Sequence, residues 1–262
     1  MLQLWQTDNR KLSLHVTIKT NGEKLMRCVA ADYGKKNSKY ADRTIKVNGS
    51  RTIYFSFPIS PKQVVIGICN HNNKDDKDFE VIIEEKPLKE YEIWLDEDSR
   101  DFLPLALYFS QVCGFETAAT TGRPFKTNDD RFKIKYFPVI KDYMSGQALS
   151  TPARIGHTSG IIETSQMRFD NYTVPMRMII LLHEFSHKYR NPKIGLPISN
   201  EFGADINALY IYLGLGFSKV DAIYVFVKVF LRAQTPQNLA RMRNIMEYIK
   251  KFEAGEIAKQ VN

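Results

Sequence analysis

Residues 179–187 of the chain read IILLHEFSH, and this stretch predicts an apolar helix. His183 and His187 are four residues apart, so their imidazoles project from one face of a helix and can bind the same ion. Glu184 follows the first histidine directly and would lie beside that ion, where a general base can take a proton from water. Two histidines and a glutamate are costly to bury among apolar residues unless they are paired or bound to metal. The stretch therefore predicts a metal site.

A third ligand has to come from another part of the chain, because a catalytic zinc ion normally has three protein ligands. Residues 200–205 read NEFGAD and open the next predicted helix, after a turn-rich linker that lets the second helix pack against the first. Glu201 and Asp205 share one face of that helix, so one can bind the metal while the other accepts a hydrogen bond from a ligating histidine. The alternative is an acidic pair that the helix dipole alone favours at a helix start.

Together, HEFSH and NEFGAD resemble the zincin metallopeptidases, and specifically their gluzincin branch. The resemblance covers residues 90–255 in layout and is specific over residues 154–209. It implies the zinc ligands His183, His187 and Glu201. It also implies that Glu184 is the general base and that Asp205 supports a ligating histidine. The metzincin signature is absent, and the linker between the two motifs is shorter than in the large thermolysin-like enzymes.

The resemblance further implies a strand that binds the substrate. In zincins an extended edge strand precedes the active-site helix and pairs with the substrate backbone, and residues 154–163 occupy that place, with 160–163 against the peptide. Peptide hydrolysis also needs a donor for the oxyanion that forms on the scissile carbonyl. His157 is the first candidate, followed by three tyrosines, although residues of these types more often serve packing or the surface. The tyrosines are Tyr172, Tyr189 and Tyr210.

Residues 1–88 alternate between polar and apolar side chains and carry frequent turn signals, which predicts an antiparallel β-sandwich. The apolar face of its first predicted strand consists of Leu12, Leu14, Val16 and Ile18. Asn21-Gly22 and Asn48-Gly49 are predicted to be tight hairpin turns, because both central positions of such turns favour residues that tolerate positive φ.

After Lys86-Pro87 the period of the pattern changes from two to that of a helix. Extended stretches return at 132–140 and 153–169. The predicted helices cover residues 99–113, 175–189, 199–215, 218–232 and 236–254. The sequence therefore predicts an α+β protein of two domains. A β-sandwich at 1–88 precedes a zincin-like domain at 89–262, which contains a small sheet with an edge strand, the HExxH helix and further helices.

The composition is that of a soluble globular protein, with 44% hydrophobic and 25% charged residues, which excludes a disordered or fibrous chain. Three well-separated cysteines without a CxxC pair indicate a reducing compartment. We expect neither a secretion signal nor a membrane span, because no apolar run has the required length and position. The net charge of +8 is spread along the chain without interleaved aromatic residues, so a nucleic-acid partner is unsupported.

These observations predict a zinc-dependent metallopeptidase that acts on an extended peptide or protein substrate. The alternative hypothesis is a structural component of a large assembly, such as a bacteriophage tail or virion protein, that retains a zincin-like fold. In that case the metal stiffens its domain and the β-sandwich docks onto other subunits. The missing secretion signal and the appended β domain motivate this alternative, and both hypotheses are compatible. We expect the protein in the cytoplasm or inside a virion or other large particle.

Overall fold

Five strands near the N-terminus form one antiparallel sheet in the computed structural model, which describes residues 1–35, 37–192, 201–230, 233 and 235–261. The strands are β1 (Leu2–Gln6), β2 (Leu12–Asp32), β3 (Lys39–Phe57), β4 (Gln63–Asn70) and β5 (Phe79–Lys86). Strand β2 pairs with β3 along its whole length, with β5 through its first half and with β4 through its second half, while β1 pairs with β4. The predicted apolar face of β2 is buried, which confirms the alternation there.

The two Asn-Gly pairs lie within long strands, so the prediction that they are hairpin turns is wrong. Thr20 pairs with Gly49 and Glu23 pairs with Asn48, which leaves residues 21–22 as a bulge opposite the second Asn-Gly pair. Gly22 and Gly49 adopt φ values of +80° and +75°. The positive φ expected at both glycines is therefore present, but it belongs to a bulge and not to a hairpin turn. A bulge lets a strand pair bend, and β2 changes its neighbour from β5 to β4 at this level.

A second sheet lies beside the helices and has the strand order β7-β8-β10-β9. Its strands are β7 (Arg123–Lys126), β8 (Lys133–Phe137), β9 (Ala153–Ile155) and β10 (Ile162–Ser165), and a separate pair joins β6 (Glu90–Glu92) to β11 (Lys259–Val261). Strands β8 and β10 are parallel, whereas the other pairs are antiparallel. The predicted edge strand at 154–163 is instead a hairpin in which β9 is the edge and β10 is interior, so assigning the edge to 160–163 is wrong. The chain turns between them because Gly160 adopts a φ of +69° and its N–H bonds back to the carbonyl of Gly156.

Six α-helices complete the described chain and give a mixed α+β fold. They are α1 (Glu97–Val112), α2 (Gln166–Phe169), α3 (Val174–Ser186), α4 (Glu201–Gly214), α5 (Lys219–Val225) and α6 (Pro236–Glu253). The helix predicted over 218–232 is divided into α5 and a π-helix (Phe226–Phe230). The predicted linker residues 193–198, the predicted helix start at 199–200 and the predicted helix end at 231–232 lie outside the described residues. Among those described, no helix is long and apolar enough to cross a membrane.

Helix α3 occupies the centre of the molecule, and all thirteen of its residues are buried. Thr173 caps its N-terminus by accepting a hydrogen bond from the backbone N–H of Met176, and Pro175 fits the first turn, where no N–H is needed. Val174 belongs to the core of the N-terminal sheet, whereas the rest of the helix packs into the larger core against α1, α4 and α5. The last turn of α3, which contains His183, therefore lies in the larger core, away from the N-terminal sheet.

Candidate metal centre

The end of α3 and the start of α4 bring together two histidines and a glutamate. The Nε2 atoms of His183 and His187 are 3.1 Å apart, as expected for residues one helical turn apart. Glu201 is the first residue of α4. Its Oε2 lies 3.5 Å from Nε2 of His183, and its Oε1 lies 3.5 Å from Nε2 of His187. His183 is only 3% exposed at its side chain, whereas Glu201 is 52% exposed, so the group is buried on one side and open on the other. The spacing predicted from the sequence thus places all three side chains around one point.

The donor atoms fit a single metal ion. Two ligand atoms that lie about 2.0–2.1 Å from one tetrahedral zinc ion are about 3.4 Å from each other. The two nitrogens are 3.1 Å apart, and each lies 3.5 Å from the nearer carboxylate oxygen of Glu201, so these separations are close to that value. Two imidazole nitrogens and one carboxylate oxygen are also a donor set that zinc accepts, although other divalent ions bind the same atoms. The described residues include this one group of histidine, cysteine and acidic side chains that could hold an ion.

Asp205 and Arg241 contact the histidine and the glutamate. Oδ1 of the fully buried Asp205 lies 2.9 Å from Nδ1 of His183. The sequence predicted a carboxylate beside a ligating histidine, and a role of Asp205 in orienting the ring stays a prediction. Arg241 donates from Nε and Nη2 to Oδ2 of Asp205 at 2.9 and 2.7 Å. Its Nη2 also lies 3.3 Å from Oε2 of Glu201. One guanidinium therefore links the two acidic residues of α4.

The sequence reasoning missed Arg241, because α6 follows α4 only after another helix. The sequence pattern of α6 nevertheless contains a signal for Arg241. The buried residues of α6 are Ile245, Ile249 and Phe252, and Arg241 lies one turn before the first of them on the same face. A charged residue on the buried face of a helix needs a partner of opposite charge, and here the partners are the carboxylates of Asp205 and Glu201.

Charges within the group shift the pKa of each side chain. Burial lowers the pKa of His183, but the neighbouring carboxylates of Asp205 and Glu201 raise it by more, so the net shift is upward. The hydrogen bond from His183 lowers the pKa of Glu201 to about 2, so this carboxylate is ionised at neutral pH. Burial, together with the charge of His183, lowers the pKa of His187 and favours its neutral form. An ionised carboxylate and a neutral imidazole are the forms that bind metal, so Glu201 and His187 favour those forms, whereas His183 has to release a proton when a metal binds.

Glu184 lies at the same cleft and has a different environment. Its side chain is largely buried, and burial raises its pKa to about 7 while the charge of His183 and the backbone N–H of Ile155 oppose that shift. A carboxyl group with a pKa near the working pH can both accept and release a proton. Glu184 therefore has the protonation behaviour of a general acid–base group.

The cleft above these residues has a volume of about 420 Å³. Its floor is made by the two histidines and the two glutamates described above, and one wall is β9 with the residues before it, 150–152. The opposite wall is Val229 and Phe230 of the π-helix, with the ring of Phe230 stacked on His183 at 4.3 Å between centroids. Such π-helical segments occur often at functional sites, because they change which side chains face inward.

The predicted oxyanion donors lie elsewhere. His157 is exposed in the turn between β9 and β10 and is not among the residues that line the cleft. The hydroxyl of Tyr210 accepts a hydrogen bond from the backbone N–H of Trp94, while Tyr172 and Tyr189 pack against aromatic rings of the core. A catalytic role for His157 stays a prediction.

Comparison with known proteins adds no relative, since no family model, curated protein or solved structure matches the chain.

Proposed function

We propose that the protein is a zinc-dependent metallopeptidase of the zincin type. The observation that carries this proposal is the convergence of His183, His187 and Glu201 next to Glu184 in an open cleft. Two imidazoles and one carboxylate leave a fourth position on a tetrahedral ion, which is typical of catalytic rather than structural zinc sites.

In this proposal His183, His187 and Glu201 hold the ion. When bound, zinc supplies a Lewis acid that lowers the pKa of water towards neutrality. Glu184 accepts a proton from the water molecule whose oxygen attacks the carbonyl carbon of the substrate. As the C–N bond breaks, Glu184 delivers that proton to the leaving nitrogen, which departs as an amine. A pKa of about 7 is compatible with both transfers.

Among the described residues no strand pairs with the outer edge of β9, and this edge supports an extended peptide as the substrate. The N–H of Ser165 bonds to the carbonyl of Pro152 on the β10 side. Because hydrogen-bonded and non-hydrogen-bonded pairs alternate along an antiparallel ladder, the backbone groups of Ala153 and Ile155 point away from β10. The backbone N–H of Ile155 is close enough to Glu184 to lower the pKa of its carboxyl group, so this edge faces the site. A peptide that pairs with this edge would therefore lie along the cleft.

The substitution Glu184→Gln tests the proposal. Gln keeps the size of the side chain but cannot take up a proton, so we expect the variant to bind one zinc ion per chain and to cleave no peptide. Zinc content would be measured by mass spectrometry of the purified protein, and cleavage with an unfolded protein and a mixed peptide library. The matched control is Glu247→Gln on an exposed part of α6, which should retain both properties. Cleavage by the Glu184→Gln variant at the normal rate, or no cleavage by the zinc-loaded natural protein, would contradict the proposal.

A structural role in a large assembly is the second candidate. Its supporting observation is the edge strand β1, where Leu2 is 81% exposed and Leu4 is 48% exposed. An edge strand with exposed apolar side chains is a surface on which another subunit can dock. In this proposal the bent N-terminal sheet is a sandwich-like docking domain of a virion, phage tail or similar particle. Zinc removal would then lower the melting temperature, and Glu184→Gln would change no measurable property of the assembly.

A further inference from the structure

A row of charged side chains crosses the second sheet and ends at the cleft. Lys135 of β8 lies directly opposite Glu163 of β10, which lies directly opposite Arg154 of β9. Residues that are directly opposite each other in a sheet place their side chains on the same face. The row therefore reads positive, negative, positive from the middle of the sheet to its free edge, and Arg154 is its last member.

The guanidinium of Arg154 is held in position at that edge. Its Nε and Nη2 atoms are each 2.7 Å from Oε2 of Glu163, and Nη2 also donates to the carbonyl of Lys141 at 3.0 Å. Tyr143 donates to the other oxygen of Glu163 at 2.6 Å, and its ring lies 4.0 Å from the guanidinium carbon of Arg154. These contacts fix the side chain in a half-buried position and do not use its Nη1 atom.

A small pocket of about 230 Å³ opens on this face and shares Arg154 with the metal cleft. Its charged lining residues are Lys135, Arg154 and Glu163, so it carries a net positive charge. The salt bridges of the described chain include Glu163 with Arg154, but none that involves Lys135. The pocket next to the cleft therefore attracts an anionic group.

A peptide that pairs with β9 extends the row by one position. The peptide residue directly opposite Arg154 points to the same face as this arginine, whereas its two neighbours, opposite Ala153 and Ile155, point to the face that packs against α3. Opposite charges that face each other across strands stabilise the pairing, and like charges destabilise it. We propose that Arg154 selects substrates with an aspartate or glutamate at this position, an inference that rests on the proposed peptidase function.

The test compares the zinc-loaded natural protein with the variants Arg154→Met, Arg154→Lys and Glu163→Gln. Each would be given peptide pairs that differ only by Glu against Gln at one position, and the ratio of kcat/KM values would be measured. We expect the natural protein to prefer Glu about 5-fold at one position, which corresponds to a strong cross-strand charge pair. Arg154→Met should bring the ratio near one, Arg154→Lys should keep part of it, and Glu163→Gln should raise it. Lys126→Met, on β7 and away from the cleft, is the control that should leave the ratio unchanged.

Binding gives a second readout that does not depend on turnover. The affinity of the zinc-loaded Glu184→Gln protein for fluorescent forms of the same peptides, measured by anisotropy, should show the same preference for Glu. If the natural protein cleaves peptides without this preference, or if Arg154→Met retains it, the inference is wrong while the peptidase proposal stands. If no peptide is cleaved, the peptidase proposal fails, and equal binding of the Glu and Gln peptides would then overturn the inference as well. If Arg154→Met does not fold, the ratios for Arg154→Lys and Glu163→Gln decide the same question.

Discussion

Arg241 is the side chain on which the order of the candidate site depends most. It bonds to Asp205, which is fully buried and lies against His183, and it also contacts Glu201. Such outer contacts orient metal ligands, and their loss typically weakens metal binding 10–100-fold. The sequence predicted the histidines and both acidic residues because they are four residues apart on single helices. Arg241 could not be predicted in the same way, because its place depends on how α6 packs against α4.

The substitution Arg241→Met removes the charge but keeps much of the apolar volume. Asp205 would then be a buried carboxylate without its guanidinium, so the free energy of unfolding should fall by about 3–5 kcal/mol. Zinc affinity should fall by about 10–100-fold. Both can be measured, by urea unfolding and by competition with a zinc chelator. The control Arg243→Met removes an exposed arginine from the same helix and should change neither value. Equal zinc affinity in Arg241→Met and the natural protein would contradict this assignment.

Glu184 makes the stability of the metal-free protein depend on pH. Burial raises its pKa from 4.5 to about 7, so the folded state keeps a proton that the unfolded chain releases above about pH 4.5. The stability that this group contributes is fully present below pH 4.5 and is lost as the pH rises through about 7. In the presence of chelator, Glu184→Gln should therefore be more stable than the natural protein at pH 8, by roughly 3 kcal/mol. The two proteins should be equally stable at pH 4, and a difference that does not change with pH would contradict the pKa shift.

At the scale of single elements, periodicity located most of the strands and helices, but it did not identify their neighbours. The Asn-Gly pairs show the reason. A tight hairpin turn and a bulge both need residues that tolerate positive φ, so the local sequence is the same for both. Which of them forms depends on whether the strand continues to pair with β3 beyond the bulge, and that is a long-range contact. The edge strand next to the cleft was misplaced for the same reason, since the order β8-β10-β9 depends on contacts between distant residues.

The bulge predicts a specific cost for adding a methyl group. Nothing lies within 4 Å of a Cβ atom placed on Gly22 or Gly49, so an alanine fits in space but is strained by the positive φ. Gly22→Ala and Gly49→Ala should each lower the free energy of unfolding by about 1–2 kcal/mol. Gly34→Ala is the control, because Gly34 is not among the positive-φ glycines and its added Cβ would make only an ordinary contact at 3.6 Å. The control should change stability by less than about 0.5 kcal/mol. Urea unfolding would measure all three, and unchanged stability of both bulge variants would contradict the assigned backbone.

At the scale of the whole molecule, the buried Arg177 ties the N-terminal sheet to α3, the helix that carries His183. It lies on α3 and donates to the carbonyls of Phe169, Ser110 and Asn37 at 2.9, 3.1 and 3.1 Å, and the last of these is in the turn between β2 and β3. The change of period after residue 86 predicted the α+β class, but nothing in the local sequence predicted this connection. Its three acceptors are backbone carbonyls, which carry no signal in the choice of side chain.

Arg177→Met should therefore destabilise the protein as a whole. Two buried carbonyl groups, of Phe169 and Ser110, would lose a donor, and each such loss costs about 1–3 kcal/mol, so the free energy of unfolding should fall by at least about 2 kcal/mol. Thermal or urea unfolding monitored by circular dichroism would measure this change. Arg100→Met, which removes an exposed arginine from α1, should be neutral within about 0.5 kcal/mol. A loss smaller than about 1 kcal/mol in Arg177→Met would show that this link contributes little.

The central claim is that one zinc ion binds between α3 and α4. Its most direct test is anomalous diffraction at the zinc absorption edge, on crystals of the full chain grown with zinc. We expect one strong anomalous peak per chain within about 2.0–2.2 Å of Nε2 of His183, Nε2 of His187 and a carboxylate oxygen of Glu201. A zinc-containing crystal without a peak at this position, or with its only peak elsewhere on the chain, would contradict it.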